Sequence, residues 1–172
     1  IDGEYTAIQV KNLNFEKDVM SIVDAGFAGF NVTIPHKEKI FNLCTTKTSK
    51  ALLTKAVNTV TIDKNKNLTG DNSDVFGFLN NFKYHQPYFN LKNKNAFVIG
   101  AGGAARAILF GLISEQIKNI FITNRDEKRA QNLISDFRNF ANEKKCNLFF
   151  LDKKSFEEKL PECDLLVNST SL

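Results

Sequence analysis

The sequence predicts an α/β protein that consists of two units in series, the first of them mostly parallel. Short apolar runs rich in Val, Ile and Phe alternate with segments of helical periodicity along the whole chain, which is typical of parallel α/β sheets. A polar, irregular, proline-containing stretch at residues 86–95 interrupts this alternation. We therefore expect one domain at residues 1–85, a linker at 86–94 and a second domain at 95–172.

The first unit begins with alternating strand and helix signals. Asn14 is suited to cap a helix whose apolar side chains recur at helical spacing, and Pro35 suits the first turn of another. The sequence KNKN between two apolar runs predicts a turn. The predicted elements, in order, are a strand at 5–10, a helix from 14 that ends near 26, a strand at 27–34, helices at about 35–43 and 48–55, a strand at 56–63, a short strand at 68–70 and a helix at 73–82.

The second unit repeats the alternation with more apolar strands. The run AFVIG is apolar throughout, as expected for a strand that is buried on both faces. The segment that starts at Asp126 places Ala130, Leu133, Ile134 and Phe137 on one helical face. The predicted elements are strands at 96–100, 119–124, 147–151 and 164–172, and helices over the glycine-rich stretch after 100 and at 126–142.

Composition narrows the class of protein. The chain has 172 residues, 42% hydrophobic and 24% charged, with a net charge of +4, and its lysines form no basic block. A solvated surface is therefore a better interpretation than nucleic-acid binding. No apolar run approaches the roughly 20 residues of a membrane helix. The three cysteines lie far apart without metal-ligand spacing, which predicts reduced thiols, no metal site and a cytoplasmic protein.

A glycine motif marks the start of the second unit. Gly100-x-Gly102-x-x-Ala105 directly follows a predicted strand and opens a predicted helix. Gly100 would permit a tight turn, Gly102 the close approach of a pyrophosphate, and Ala105 close packing of helix on strand. A turn selected only for tight packing is the alternative. The context favours a Rossmann-type dinucleotide-binding domain.

The end of the next strand bears on which dinucleotide is bound. An NAD site usually carries a carboxylate there, whereas this strand ends in Asn124 and continues with Arg125 and, one turn later, Arg129. Guanidinium groups would bind a 2′-phosphate, so we expect NADP. Asp126 lies among the basic groups and argues against it, and the arginines could instead belong to a solvated helix start.

Polar side chains in the first unit follow apolar strands. The stretch NVTIPHK places Thr33 and Lys37 one helical turn apart at a predicted strand end, where open α/β folds bind ligands. Asn58 interrupts another apolar run, and Asp74 stands in the first turn of a predicted helix. These residues also have alternative interpretations. Lys37 could be a surface lysine, Asn58 a strand amide satisfied by a neighbouring loop, and Asp74 a solvated acid in a helix-capping segment. Together they predict one shared site.

The motifs NVTIPHK, AVNTV, GDNSD, GAGGAAR, NRDEKR and VNSTSL occur in this order, and the set closely resembles the shikimate dehydrogenase family. The resemblance implies reversible reduction of 3-dehydroshikimate to shikimate with NADPH, in the biosynthesis of aromatic amino acids. It implies that Lys37 and Asp74 are the catalytic pair and that Thr33 and Asn58 hold substrate hydroxyls. The residues implied to bind the cofactor are Gly100, Ala101, Gly102, Gly103, Ala104, Ala105, Asn124, Arg125, Arg129, Asn168, Ser169 and Thr170.

The sequence also departs from the family. A serine-rich segment that grips the substrate carboxylate would lie before residue 1, and further family segments would lie after Leu172, so we expect the chain to be a fragment. Asp126 replaces the family's usual threonine. An NAD-using quinate/shikimate dehydrogenase and a non-catalytic metabolite-binding protein of the same fold are the alternatives. We expect a small-molecule substrate and a monomer or homodimer.

Overall fold

The computed structural model describes residues 2–170 of the chain. Its first part contains a four-stranded sheet, ordered β1-β3-β4-β2, with helices packed around it. A short 3-10 helix, Asn12–Asn14, precedes α1. The strands are β1 Gly29–Asn31, β2 Thr46–Lys47, β3 Thr59–Ile62 and β4 Leu68–Asp71, and the helices are α1 Phe15–Asp24, α2 Lys37–Leu43, α3 Ser49–Thr54 and α4 Asp74–His85.

The first sheet is mixed, which corrects the expectation of a mostly parallel one. Strand β3 pairs antiparallel with both β1 and β4, and only β2 and β4 run parallel. The cause is local, because β3 and β4 are joined by a tight turn in which the Asp63 carboxylate accepts hydrogen bonds from the backbone N–H groups of Asn65 and Asn67. A hairpin of this kind can only be antiparallel.

The strand predicted at residues 5–10 is wrong. This segment forms no strand, and Tyr5 and Ile8 are exposed. Its β-branched residues satisfy the local signal, but a strand also needs a partner for its backbone groups, and no described strand pairs with it. The two-residue strand β2 was missed because it is too short for a periodic signal.

Helix α2 begins at Lys37, two residues later than predicted. The backbone N–H of His36 donates to the carbonyl of Thr33 at 3.0 Å, which closes a turn across Ile34 and Pro35 before the helix starts. His36 is buried, stacks on Phe15 with ring centroids 4.8 Å apart, and bonds the Val10 carbonyl at 2.9 Å. His36 therefore contributes to the packing of the first unit.

The second part contains a four-stranded, all-parallel sheet of order β7-β6-β5-β8. The α/β class and this parallel sheet are confirmed. The short helix α7 was missed because charged residues surround its one buried side chain, Phe156. The strands are β5 Asn95–Ile99, β6 Asn119–Thr123, β7 Asn147–Phe150 and β8 Leu165–Asn168, and the helices are α5 Gly103–Ser114, α6 Glu127–Glu143 and α7 Lys153–Lys159, followed by a 3-10 helix at Leu160–Glu162. The last residues of the predicted final strand, Ser171 and Leu172, lie outside the described residues.

Helix α4 connects the two parts by packing. Its Phe78, Leu79 and Phe82 contact the apolar core of the second sheet, and an added Cβ at Gly111 of α5 would lie 3.2 Å from Leu79. The domain boundary at 86–94 stays a prediction, and α4, placed before it, shares its apolar face with the unit after it. No helix within residues 2–170 is both long and apolar enough to cross a membrane.

Candidate active site

One cleft, with a cavity volume of about 240 Å³, lies where the two units meet. The start of α2 forms one wall, and the glycine turn after β5, the end of β6 and the end of β8 form the other. The second wall consists of the carboxyl ends of parallel strands, where open α/β sheets bind ligands. The lining residues are Ile34, Pro35, Lys37, Glu38, Gly100, Ala101, Gly102, Gly103, Ala104, Asn124, Arg125, Arg129, Ser169 and Thr170.

Lys37 and Asp74 form an ion pair in this region. The Lys37 Nζ lies 2.7 Å from Asp74 Oδ2, and the side chains are only 14% and 30% exposed. Lys37 starts α2 and Asp74 starts α4, so the two residues, 37 positions apart in sequence, meet because two helix starts converge. Of the pair, Lys37 lines the cleft, and Asp74 contacts its ammonium.

Asn58 holds the other side of the Asp74 carboxylate. Its Nδ2 donates to Asp74 Oδ1 at 2.8 Å and to the Ser73 hydroxyl at 3.0 Å. Its Oδ1 accepts from the Ser73 backbone N–H at 2.9 Å and from the Thr59 hydroxyl at 3.0 Å. With both amide atoms committed, Asn58 fixes the orientation of the carboxylate that Lys37 contacts.

The segment before α4 is built by polar contacts rather than by a side-chain cap at Ser73. The fully buried Asn72 accepts from the Asp74 N–H at 3.0 Å and donates to the Ala56 carbonyl at 3.0 Å. Burial acts to raise the pKa of Asp71, but hydrogen bonds from Thr48, the Asn72 N–H and Lys50 outweigh it and hold that pKa below its usual range. Asp71 therefore supports the turn in its ionised form.

Thr33 is not brought into the cleft that Lys37 lines. Thr33 is exposed and lines a neighbouring, more apolar cavity together with Phe15, Val32 and His36. The turn across Ile34 and Pro35 separates the two positions. A substrate contact by Thr33 stays a prediction.

The glycine turn fits a pyrophosphate. Gly100 has φ +114°, and an added Cβ there would lie 2.5 Å from the Ser169 hydroxyl oxygen, so only glycine is accommodated without displacement. Gly102 is the N-cap of α5 and supplies no side-chain cap. The first N–H groups of this 12-residue helix therefore have no side-chain acceptor from the cap, and Gly103 and Ala104 line the cleft, which suits an anion.

Gly103 brings the two predicted sites into contact. An added Cβ at this first residue of α5 would lie 3.0 Å from the Lys37 Cβ and 3.3 Å from its Cδ. The stem of Lys37 thus packs directly on the glycine turn. Ala105 and Ala101 are buried in the core beneath it.

The residues after β6 surround the start of α6. Asn124 donates through Nδ2 to the Asp126 carbonyl at 2.7 Å, and Arg125 and Arg129 line the cleft. The Asp126 carboxylate accepts from the Arg129 backbone N–H at 3.1 Å as the N-cap of α6. This carboxylate, which argued against NADP in the sequence, has a structural task at the helix start.

The segment after β8 closes the cleft from the other side. The Ser169 hydroxyl donates to the Ile99 carbonyl at 2.8 Å, which ties the segment to β5. Asn168 accepts through Oδ1 from the Thr170 N–H at 3.0 Å and hydroxyl at 2.7 Å. Asn168 therefore shapes the backbone, while Ser169 and Thr170 line the cleft.

Sequence reasoning missed two charged residues at the cleft. Glu38 lines it and pairs with Arg129, and Arg106, a nearly buried residue of α5, lies behind Glu38. An arginine inside the otherwise apolar stretch AARAILFGLI was the available signal for Arg106. Glu38 gave no signal, because its neighbours come from distant parts of the chain.

The described residues have free thiols and no cluster of metal-ligating side chains. The three cysteines are free, and burial raises the pKa of Cys146 to about 12 and also raises the pKa values of Cys44 and Cys163. Within residues 2–170, no group of three or more His, Cys, Asp or Glu side chains is arranged to hold a metal ion.

Comparisons with known proteins agree with this geometry. Residues 1–60 match the shikimate dehydrogenase substrate binding domain, and residues 83–172 match the shikimate / quinate 5-dehydrogenase family. The chain is 39% identical over 168 residues to a shikimate dehydrogenase (NADP(+)) of Magnetococcus marinus, covering 98% of this chain and 58% of that relative. The chain thus spans less than two thirds of the length of the curated relative it matches.

Solved structures give the same fold. Shikimate dehydrogenase from Aquifex aeolicus has a TM-score of 0.80 at 31% identity, over 94% of this chain and 55% of that one. Quinate dehydrogenase from Corynebacterium glutamicum, solved in complex with NAD, has a TM-score of 0.76 at 29% identity, over 90% and 54%.

Proposed function

The chain belongs to the shikimate dehydrogenase family, and from that premise we propose that its protein reversibly reduces 3-dehydroshikimate to shikimate with NADPH. The observation that carries the proposal is the Lys37–Asp74 ion pair, 2.7 Å long, at a cleft whose opposite wall is a glycine turn suited to a dinucleotide. A proton-transfer pair beside such a turn is what reduction of a carbonyl requires.

The reduced nicotinamide, when bound, supplies the hydride that reaches the carbonyl carbon of the substrate. The chain's own residues manage the proton. As the carbonyl oxygen gains negative charge, the Lys37 ammonium stabilises that charge and donates a proton to it. Asp74 orients Lys37 and, being partly exposed, connects it to solvent for reprotonation.

Asn58 acts on this pair through Asp74. Because its Nδ2 donates to one carboxylate oxygen while Lys37 contacts the other, the carboxylate plane is held in one orientation. We propose that a ring hydroxyl of the substrate replaces the Ser73 hydroxyl as a partner of the Asn58 amide, and that Thr33 contributes another contact from the neighbouring cavity.

The N–H groups at the start of α5 would hold the pyrophosphate, and Asn124, Arg125 and Arg129 would hold the adenosine 2′-phosphate. Two cationic side chains, Arg125 after β6 and Arg129 in the first turn of α6, favour this phosphate over an unmodified ribose. The relative from Magnetococcus marinus carries NADP(+) in its name. We further propose a cytoplasmic protein, monomeric or homodimeric, with reduced thiols.

An NAD-using quinate/shikimate dehydrogenase is the second candidate. Asp126 is the observation that favours it, since an acid after this strand suits a free ribose. Asp126 accepts the Arg129 N–H as a helix cap, which gives the carboxylate a reason to be present that is independent of the cofactor. We therefore rank NADP first.

The test is nicotinamide absorbance during shikimate oxidation by the complete protein, with NADP and NAD in parallel. We expect NADP to be reduced, and Lys37→Ala to lower kcat by about 10²–10⁴-fold because the proton donor is lost. Lys39→Ala is the matched control, since Lys39 is on the same helix but contacts Asn12 instead of the cleft. No turnover with either cofactor in a folded protein would favour a metabolite-binding role.

A further inference from the structure

The cation proposed for the 2′-phosphate already has an anionic partner. The Arg129 Nη2 lies 2.9 Å from Glu38 Oε1, and both residues line the cleft. The same Nη2 lies 3.9 Å from the position of an added Cβ at Gly102. Arg129 of α6 thus reaches over the glycine turn and ends on a carboxylate of α2, in the other unit.

Glu38 has a second cationic neighbour that is incompletely satisfied. The other carboxylate oxygen, Oε2, lies 3.7 Å from the Nε of Arg106, which is within ion-pair range but too long for a hydrogen bond. Arg106 is 7% exposed. Its Nη2 contacts Asp136 at 2.7 Å and its Nη1 the Thr54 carbonyl at 3.4 Å, whereas its buried Nε has no hydrogen-bond partner among the described residues.

These distances give the Glu38 carboxylate two places to bind. It contacts Arg129 closely in the cleft and stands just outside hydrogen-bond distance of a buried, unpartnered N–H. An unsatisfied buried donor is unfavourable, so a small movement of Glu38 toward Arg106 would gain one charge-assisted hydrogen bond. That gain would compensate only part of the lost pair with Arg129.

We infer that Glu38 is a specificity-determining residue that competes with the 2′-phosphate of the dinucleotide for Arg129. The inference rests on the proposed NADP site. In its pair with Arg129, Glu38 neutralises the guanidinium and places a negative charge beside the phosphate position. When a 2′-phosphate binds, Arg129 turns to it and Glu38 moves onto the Nε of Arg106.

The competition acts on only one class of nucleotide. NAD has a free 2′-hydroxyl, so it neither needs Arg129 nor suffers repulsion from Glu38. Glu38 therefore lowers the preference for NADP below the value that the two arginines alone would give. It also ties α2, the helix that carries Lys37, to α6 until a 2′-phosphate arrives.

The test is calorimetric binding of NADP⁺ and NAD⁺ to the complete protein as wild type and Glu38→Gln, which keeps the shape and removes the charge. We expect the Kd for NADP⁺ to fall about threefold or more, as an exposed ion pair of this kind implies, and the Kd for NAD⁺ to stay unchanged. Glu127→Gln is the matched control, because Glu127 is near Arg129 in α6 but makes no ion pair within residues 2–170.

A double-mutant cycle separates competition for Arg129 from a general effect of charge. In an Arg129→Ala background, Glu38→Gln should no longer tighten NADP⁺ binding, and a gain that persists there overturns the inference. The inference is also overturned if wild type binds NADP⁺ and the Glu38→Gln variant binds NADP⁺ no more tightly. That result would leave the proposed function intact. Absence of NADP⁺ binding by both proteins contradicts the proposed cofactor and the inference together.

Discussion

At the scale of single residues, Gly103 decides how closely the two predicted sites approach. The position looked in sequence like one more glycine of a nucleotide turn, yet its missing side chain is what leaves room for the Lys37 stem. The glycine therefore matters to the lysine as well as to a phosphate. Gly77 of α4 provides the contrast, because nothing lies within 4 Å of an added Cβ there.

Gly103→Ala should impair catalysis, whereas Gly77→Ala should stabilise the fold. The methyl group at 103 would meet the Lys37 Cβ at 3.0 Å, so Lys37 must shift by a few tenths of an ångström, and we expect kcat to fall about tenfold because catalytic positioning is sensitive to such shifts. Gly77→Ala should raise the free energy of unfolding by about 0.5–1 kcal/mol, since alanine is the better helix former. Steady-state kinetics and urea unfolding of both variants are the measurements. Equal kcat values in the two variants would contradict the contact.

At the scale of elements, helix starts carry most of the candidate site. Lys37, Asp74 and the glycine turn each stand at the first residues of a helix, and their positions were predicted to within two residues. Turn, cap and periodicity signals are local, so the sequence contains them completely. The segment at 5–10 failed because a strand depends on a partner elsewhere in the chain, which a local pattern does not report.

The start of α6 gives a test of Asp126 in its structural role. Asp126→Ala removes the acceptor for the Arg129 N–H and should lower the free energy of unfolding by about 1 kcal/mol. Asp126→Asn keeps an oxygen at the same place and should lose less, because asparagine caps helices about as well. Urea unfolding of the two variants is the measurement, and equal losses would refute the capping role.

At the scale of the whole molecule, a small set of charges joins the two units. Asp136 of α6 contacts Lys55, which follows α3, through Oδ1 at 2.5 Å and the buried Arg106 through Oδ2 at 2.7 Å. Burial acts to raise the pKa of Asp136, but the hydrogen bonds and charges of Lys55 and Arg106 outweigh it and hold that pKa below its usual range. The folded state therefore prefers the ionised carboxylate.

Asp136→Asn should lower the free energy of unfolding at pH 7 by about 2 kcal/mol, because it leaves the Arg106 guanidinium buried without its main counter-charge. A lowered folded pKa gives stability that is fully present above the unfolded value, about 3.9, and is lost as the pH falls through the folded value. Wild type should therefore lose more stability than the variant on acidification below about pH 4. Urea unfolding at several pH values measures this, and a constant difference between the two proteins would contradict the assignment.

The α/β class, the parallel second sheet, the glycine turn and the positions of Lys37 and Asp74 near helix starts could all be predicted from the amino-acid sequence. These follow from signals that span a few residues, namely apolar periodicity, capping residues and glycine spacing. Four features became visible only in the folded chain: the first sheet is mixed, Asn58 holds Asp74, Gly103 packs on Lys37, and Glu38 lies between Arg129 and Arg106. Each of these four features depends on a contact between residues that are far apart in the chain. A pattern that spans a few residues carries no information about such a contact.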